Sequence, residues 1–168
     1  LDTYGSERLP HAAGVVAHAV DTGRLIDELS GRAPASTDLD AAYGGGRPFP
    51  ILEHGIRVGD HSAVGRQVPQ PTIDGRPLVD LLGSGFAVVV DGDGLVDAAT
   101  ARWGDLASIV VVPAGTMPLA LPPGGAVIVR PDRYVAAVAH DAAEFAASSD
   151  ALLHQLGIRR ATPERTTT

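Results

Sequence analysis

Residues Gly75 to Gly94 read GRPLVDLLGSGFAVVVDGDG, and the rest of the chain is arranged around this stretch. A short apolar, helix-like piece from Leu78 to Leu82 runs into the break Gly83-Ser84-Gly85. An unbroken apolar run follows, Phe86 to Val90, and closes on Asp91-Gly92-Asp93-Gly94. Apolar residues bounded by glycine and aspartate read as a strand buried on both faces, the pattern of a central strand in an α/β sheet.

Downstream, Leu95 to Gly104 spaces its apolar residues for a short helix with one buried face. Ala107 to Val112, ASIVVV, reads as a second buried strand stopped by Pro113, and Met117 to Pro123 as a proline-bounded loop. Ala126 to Val129 and Tyr134 to Val138 predict two strands around the Pro-Asp turn Arg130-Pro131-Asp132-Arg133. Asp141 caps a last helix that runs to about Leu156, with Gly157 as its stop and a frayed tail beyond. The order is β-α-β-β-β-α, with two early parallel strands and an antiparallel hairpin. That is an α/β, thioredoxin-like domain over residues 78–160.

Upstream, Asp2 and Thr3 are good N-cap residues, and Pro10 is tolerable as a first-turn residue or a kink. Ala12, Val15, Val16, Ala19, Val20, Leu25, Ile26 and Leu29 recur at three- and four-residue steps, one apolar stripe on a long helix over residues 1–31. A helix that needs a partner surface and starts at Leu1 implies a longer polypeptide upstream. Residues 32–77 are rich in Gly, Pro, Asp and Arg and carry little periodic apolar signal, so they read as an extended, irregular crossover segment. Gly44-Gly45-Gly46 marks a turn within it.

Composition excludes several functions. The chain has 168 residues, 45% of them hydrophobic, enough for a sizeable core. No apolar run approaches the ~20 residues of a membrane span, and no signal peptide is visible. The net charge is −7, lysine is absent, and the arginines are scattered, which argues against a nucleic-acid surface. The absence of lysine and asparagine, with abundant Ala, Gly, Val and Arg, points to a GC-rich bacterial genome, and with no span or signal peptide the expected location is the bacterial cytoplasm. With no cysteine, disulfides, thiolate chemistry and cysteine metal sites are ruled out.

Motif tests point the same way. Gly83-Ser84-Gly85-Phe86-Ala87-Val88 lacks the third glycine of a dinucleotide fingerprint and precedes its strand. It lacks the Gly-x-Ser-x-Gly elbow, so Ser84 has no reason to be a nucleophile. Asp91-Gly92-Asp93-Gly94 starts like a calcium loop but lacks the downstream glutamate, and reads as a strand-end turn. A thioredoxin-like fold would place its redox cysteines there. His11 and His18 lie two helical turns apart, about 10 Å, too far for one ion. His54, Asp60 and His61 are loosely spaced in a loop and read as chance. No metal site is expected.

Four segments together resemble a family: Asp2-Thr3-Tyr4-Gly5-Ser6-Glu7-Arg8-Leu9-Pro10, Val64-Gly65-Arg66-Gln67-Val68-Pro69, Gly75 to Phe86, and Val129-Arg130-Pro131-Asp132-Arg133-Tyr134-Val135-Ala136. In order and spacing they resemble the C-terminal part of the class A FAD-dependent aromatic hydroxylases, the phenol-type and aromatic-polyketide monooxygenases. The chain departs from the family at Ala41-Ala42-Tyr43, where an Ile-Arg-Tyr-like triplet is common, and at Ala137-Val138, where Trp-Arg is common.

The resemblance implies a parent enzyme that uses NAD(P)H, FAD and O₂ to hydroxylate an aromatic ring, the chemistry being the cofactor's. It places the glycine-rich FAD motif and the NAD(P)H-associated motifs upstream of Leu1. The present chain is then a structural segment with no catalytic group, cofactor-binding residue or metal ligand. Its partners would be the upstream FAD-binding domain and, in an oligomer, a second copy. Tyr4 and Arg8 are the candidate domain-joining residues. The competing expectation is a free-standing, non-catalytic thioredoxin-like binding or scaffold domain.

Overall fold

A computed structural model describes residues 2–32, 50–117 and 123–158, residues 2–4 by backbone alone. The chain divides into two compact units, Leu1–Gly55 with Gly65–Gln67, and Ile56–Val64 with Val68–Thr168. Gly44-Gly45-Gly46, most of the Met117–Pro123 loop and the C-terminal tail lie outside the described residues.

The first unit is built on α1, Asp2–Leu29, which carries Pro10 within it. Glu7 is buried, and His11, Gly14, His18, Thr22, Leu25 and Glu28 lie half-buried along the same side. Pro50 packs at Gly14, and Leu52 N donates to the Gly65 carbonyl at 2.7 Å. The apolar stripe behaves differently from a core-facing one. Leu9, Val15, Val16, Val20, Ile26 and Leu29 are all exposed, Leu9 at 73%. Only Leu25 of the stripe is half-buried.

In the second unit, valine-rich runs form the strands that β-branched packing favours. The segment read as wholly irregular contains a small antiparallel hairpin, β1 (Thr72–Ile73) and β2 (Arg76–Pro77). Its turn is Asp74-Gly75, both at positive φ (48° and 77°), the conformation a two-residue hairpin loop requires. A 3₁₀ turn, Leu78–Asp80, follows and buries Leu78. Then come β3 (Phe86–Asp91), α2 (Val96–Trp103), β4 (Ala107–Val112), β5 (Ala126–Val129), β6 (Val135–Ala139) and α3 (Ala142–Gln155).

The four long strands form one sheet in the order β4-β3-β5-β6. β3 runs parallel to β4 and antiparallel to β5, and β6 returns antiparallel to β5 across a bulge at Ile128/Val129. This is a mixed α/β fold with the element order read from the sequence. One position differs. β4, read as a buried strand, lies at the edge of the sheet among the described residues, and Val111 on it is 44% exposed.

The sheet has a core on each face. Val88, Val90, Ala126, Ile128 and Ala137 pack with Ala99 and Trp103 of α2 and Phe145, Leu152 and Leu153 of α3. On the other face, Ala87, Val89, Val110, Val112, Val127 and Val129 pack with Val64, Val68, Ile73, Leu78 and Leu82. Ala63, Val64 and residues 68–82 thus cover the face that carries no described helix. The indole of Trp103 donates to Ser149 Oγ at 3.0 Å, tying α2 to α3 where both side chains are fully buried. Asp141 caps α3 by accepting from Ala143 N (2.8 Å) and Glu144 N (2.9 Å). Its C-terminus closes as a Schellman motif, Gly157 N to the His154 carbonyl and Ile158 N to the Leu153 carbonyl. No described helix is long and apolar enough to cross a membrane.

Candidate functional site

Glycine and acid surround the C-terminal end of β3, where an open α/β sheet would bind a ligand. The Asp91 side chain is buried, and both its carboxylate oxygens accept from Gly115 N, at 2.9 and 3.0 Å. Its backbone bridges the facing loop: Asp91 N donates to the Gly125 carbonyl, and Gly124 N to the Asp91 carbonyl. A side chain on Gly94 would press on Gly124, with Cβ 3.3 Å from its Cα. The turn is therefore closed by its own loops. Asp93 and Asp97 add two further carboxylates at the start of α2, an eight-residue helix.

A flavin dinucleotide needs the opposite, a glycine-lined turn whose amides point at a pyrophosphate. The described residues here do not fit one, because their charge is of the wrong sign and Asp91 has already taken up the Gly115 amide. The Gly83-Ser84-Gly85 break lies at the other end of β3. With Asp105 and Ser108 it lines an open cleft of about 420 Å³ that has no basic, histidine or cysteine lining residue.

The hairpin turn between β5 and β6 is pinned by arginine. Arg130, itself buried, binds Asp132 through two bonds, Nε to Oδ1 (3.1 Å) and Nη2 to Oδ2 (2.9 Å), and reaches the Ile56 carbonyl through Nη1 (3.4 Å). Arg133, at φ 69°, donates from Nη2 to the Gly83 carbonyl at 2.5 Å, and its own carbonyl accepts from Val68 N. These contacts staple Ile56, Val68 and Gly83 to the hairpin turn; they are structural.

His54 and Asp60 are exposed. His61 Nδ1 accepts from Ala63 N at 3.1 Å, so the neutral ring carries its proton on Nε2 and offers no lone pair there. Its ring lies 5.5 Å from that of His140, whose Nδ1 meets Glu144 Oε2 at 2.9 Å. Glu144 also accepts from His140 N, and these bonds, the backbone one first, hold its carboxyl below the ordinary range. Among the described residues no three histidine or carboxylate groups are gathered for a metal ion.

On α1, Arg8 is half-exposed, its Nε 3.9 Å from Glu7 Oε1. Tyr4 contributes backbone to the helix, and its side chain lies outside those described. Sequence reading passed over Glu7, whose buried carboxylate closes on Gly55, a glycine at φ 98°. A glutamate followed 48 positions later by a glycine gives no local signal of that contact. Among the described residues of this unit, α1 from Leu9 to Val20 carries exposed apolar side chains and no Asp, Glu, Lys or Arg.

Residues 61–158 match the family model described as aromatic-ring hydroxylase, C-terminal. Two curated relatives, from Burkholderia cenocepacia (strain HI2424) and Burkholderia orbicola (strain AU 1054), are each named 3-(3-hydroxy-phenyl)propionate/3-hydroxycinnamic acid hydroxylase. Each is 35% identical over 111 residues, covering 53% of this chain and 20% of the relative. The chain thus spans about a fifth of the length of these relatives. Among solved structures, a ternary complex of aklavinone-11 hydroxylase with FAD and aklavinone is similar at TM-score 0.54 and 24% identity, covering 93% of this chain and 35% of that one. OxyS anhydrotetracycline hydroxylase from Streptomyces rimosus is similar at TM-score 0.50 and 23% identity, covering 93% and 34%.

Proposed function

The chain belongs to the aromatic-ring hydroxylase C-terminal family, and on that premise we propose that it is the C-terminal structural portion of an FAD-dependent aromatic monooxygenase. The parent enzyme would hydroxylate a phenolic or polyketide ring with NAD(P)H and O₂ in the bacterial cytoplasm. This segment supplies no catalytic group to that reaction; FAD, held elsewhere in the polypeptide, supplies the oxygen chemistry. The second unit is a thioredoxin-like brace without redox cysteines.

One observation carries the reading. α1 shows Leu9, Val15, Val16, Val20, Ile26 and Leu29 to solvent, while its polar side, with Glu7, His11 and His18, is the half-buried one. Fully burying one such side chain yields about 1.5–3 kcal/mol, so this face is a strong docking surface for a matching domain. The FAD-bearing part of the same polypeptide is that domain. Arg8 and Tyr4, in the first turns of α1, are the joining contacts: an arginine at such a seam bridges carbonyls or a carboxylate. The acidic, closed turn after β3 supports the assignment of flavin binding to the other domain.

Titration of the 168-residue chain with FAD, followed by flavin fluorescence and gel filtration, tests this. No flavin co-elutes on the proposed reading, and NADPH is not oxidised. One FAD retained per chain would overturn it.

A further inference from the structure

The chain contains three Asp-Gly pairs, Asp74-Gly75, Asp91-Gly92 and Asp93-Gly94, and no asparagine. An Asp-Gly pair can rearrange without an enzyme, because glycine has no Cβ to shield its main-chain nitrogen. That nitrogen attacks the aspartate Cγ, the N–Cγ bond forms, and the N–H proton leaves with the carboxyl hydroxyl as water. Water then opens the five-membered succinimide. Attack at Cγ restores aspartate, whereas attack at the α-carbonyl carbon breaks the original peptide bond and leaves isoaspartate, with the main chain running through Cγ. Nothing is oxidised or reduced. The fold treats the three pairs differently. Asp91 is buried, its carboxylate accepts from Gly115 N, and Gly92 N donates to the Val112 carbonyl at 2.8 Å, so both reacting groups are committed. Asp93 and Gly94 are exposed, but their turn is held. The Asp93 carbonyl accepts from Val96 N at 3.3 Å, and a Cβ on Gly94 would stand 3.3 Å from Gly124 Cα. Asp74 and Gly75 are exposed as well, and a Cβ on Gly75 would meet nothing within 4 Å. Among the described residues neither the Asp74 carboxylate nor the Gly75 N–H has a hydrogen-bond partner.

We infer that Asp74-Gly75 is a modification site, the place where the folded chain forms isoaspartate spontaneously. The change acts on the fold through the hairpin. It adds one methylene to the main chain inside a two-residue loop, and loop length sets the register Thr72↔Pro77 and Ile73↔Arg76. Ile73 on β1 is buried, and the fully buried Leu78, just after β2, donates from its N to the Pro71 carbonyl at 3.0 Å. Both side chains belong to the core on the face of the sheet that α2 and α3 leave uncovered. Isomerisation at the loop therefore loosens the cover of that face. The inference stands on the second unit alone and is independent of where flavin binds.

Prolonged warming of the folded wild-type chain at neutral pH tests it, beside Asp74→Glu, whose longer side chain would have to close a six-membered ring. Electron-transfer fragmentation of the digested samples distinguishes isoaspartate from aspartate residue by residue. Methyl acceptance from S-adenosylmethionine, catalysed by an isoaspartyl methyltransferase, measures the total. Isoaspartate should accumulate at Asp74 several-fold faster than at Asp93 and stay at the starting level at Asp91. In guanidinium chloride the three rates should converge, because the protection at Asp91 and Asp93 belongs to the fold. Methyl acceptance should fall several-fold in Asp74→Glu, and the Leu78 and Val79 amides of the aged wild-type chain should exchange faster. An Asp74 that stays unchanged in the folded chain overturns the proposal, as does equal accumulation at Asp91 or Asp93, or undiminished methyl acceptance in Asp74→Glu.

Discussion

The buried carboxylate of Glu7 sits directly over Gly55, so close that a Cβ on Gly55 would overlap Glu7 Oε2. Gly55 also holds φ 98°, which L side chains rarely adopt. The glycine therefore lets residues 50–55 run against the polar side of α1 and leaves the apolar side of the helix outward.

Gly55→Ala should displace Glu7 and add backbone strain, a cost of about 1–3 kcal/mol. Faster hydrogen exchange in α1 is the expected readout. Adding Glu7→Ala removes the overlap but not the strain, so the double variant should lose less than the sum of the two single variants. Additive losses would show that the two residues do not interact.

Trp103 is the only tryptophan, and its indole N–H is satisfied by Ser149 Oγ where no water reaches. Ser149→Ala leaves that donor unpaired and should cost about 1–3 kcal/mol. Urea unfolding followed by tryptophan emission measures the loss directly.

Asp91 clamps the loop after β4 through Gly115 N. Asp91→Ala should destabilise the second unit by about 1–3 kcal/mol and speed exchange of the Gly115 amide. Asp91→Asn keeps an acceptor oxygen and should recover most of the protection.

Much of the second unit was legible in the sequence because its signals are local. Phe86 to Asp91 is a continuous apolar run between turns, and Asp141 with Gly157 bounds α3 with residues whose capping chemistry is short-range. Three features were not legible. The hairpin at Asp74-Gly75 has strands of only two residues each, too short for a period-2 pattern, although its Asp-Gly turn was a usable signal. The edge position of β4 is set by the strand order and not by the sequence of ASIVVV, which reads the same in a sheet centre. The exposure of the α1 stripe depends on which surface covers it, and spacing alone gives the period of a stripe without its direction.

Glu144 gives a pH dependence with a definite sign. Its carboxyl is held below the usual 4.5 by the His140 backbone N–H and then by the His140 ring. A lowered folded value stabilises fully above the unfolded one and is lost as pH falls through the folded value. Wild type should therefore lose more stability than Glu144→Gln on acidification below about pH 4.5. The difference should be small, because the pair is solvent-exposed. Thermal melts of both proteins across the acid range read it out, and parallel curves would remove Glu144 from the acid response.

The central claim is that α1 continues a polypeptide whose upstream part holds FAD and covers the apolar face from Leu9 to Leu29. Sequencing the coding DNA upstream of the Leu1 codon tests it most directly. The expected result is an open frame running far upstream, with a Gly-x-Gly-x-x-Gly segment between a strand and a helix near its start. A start codon immediately before Leu1 would contradict the account and leave α1 with its apolar face for another partner.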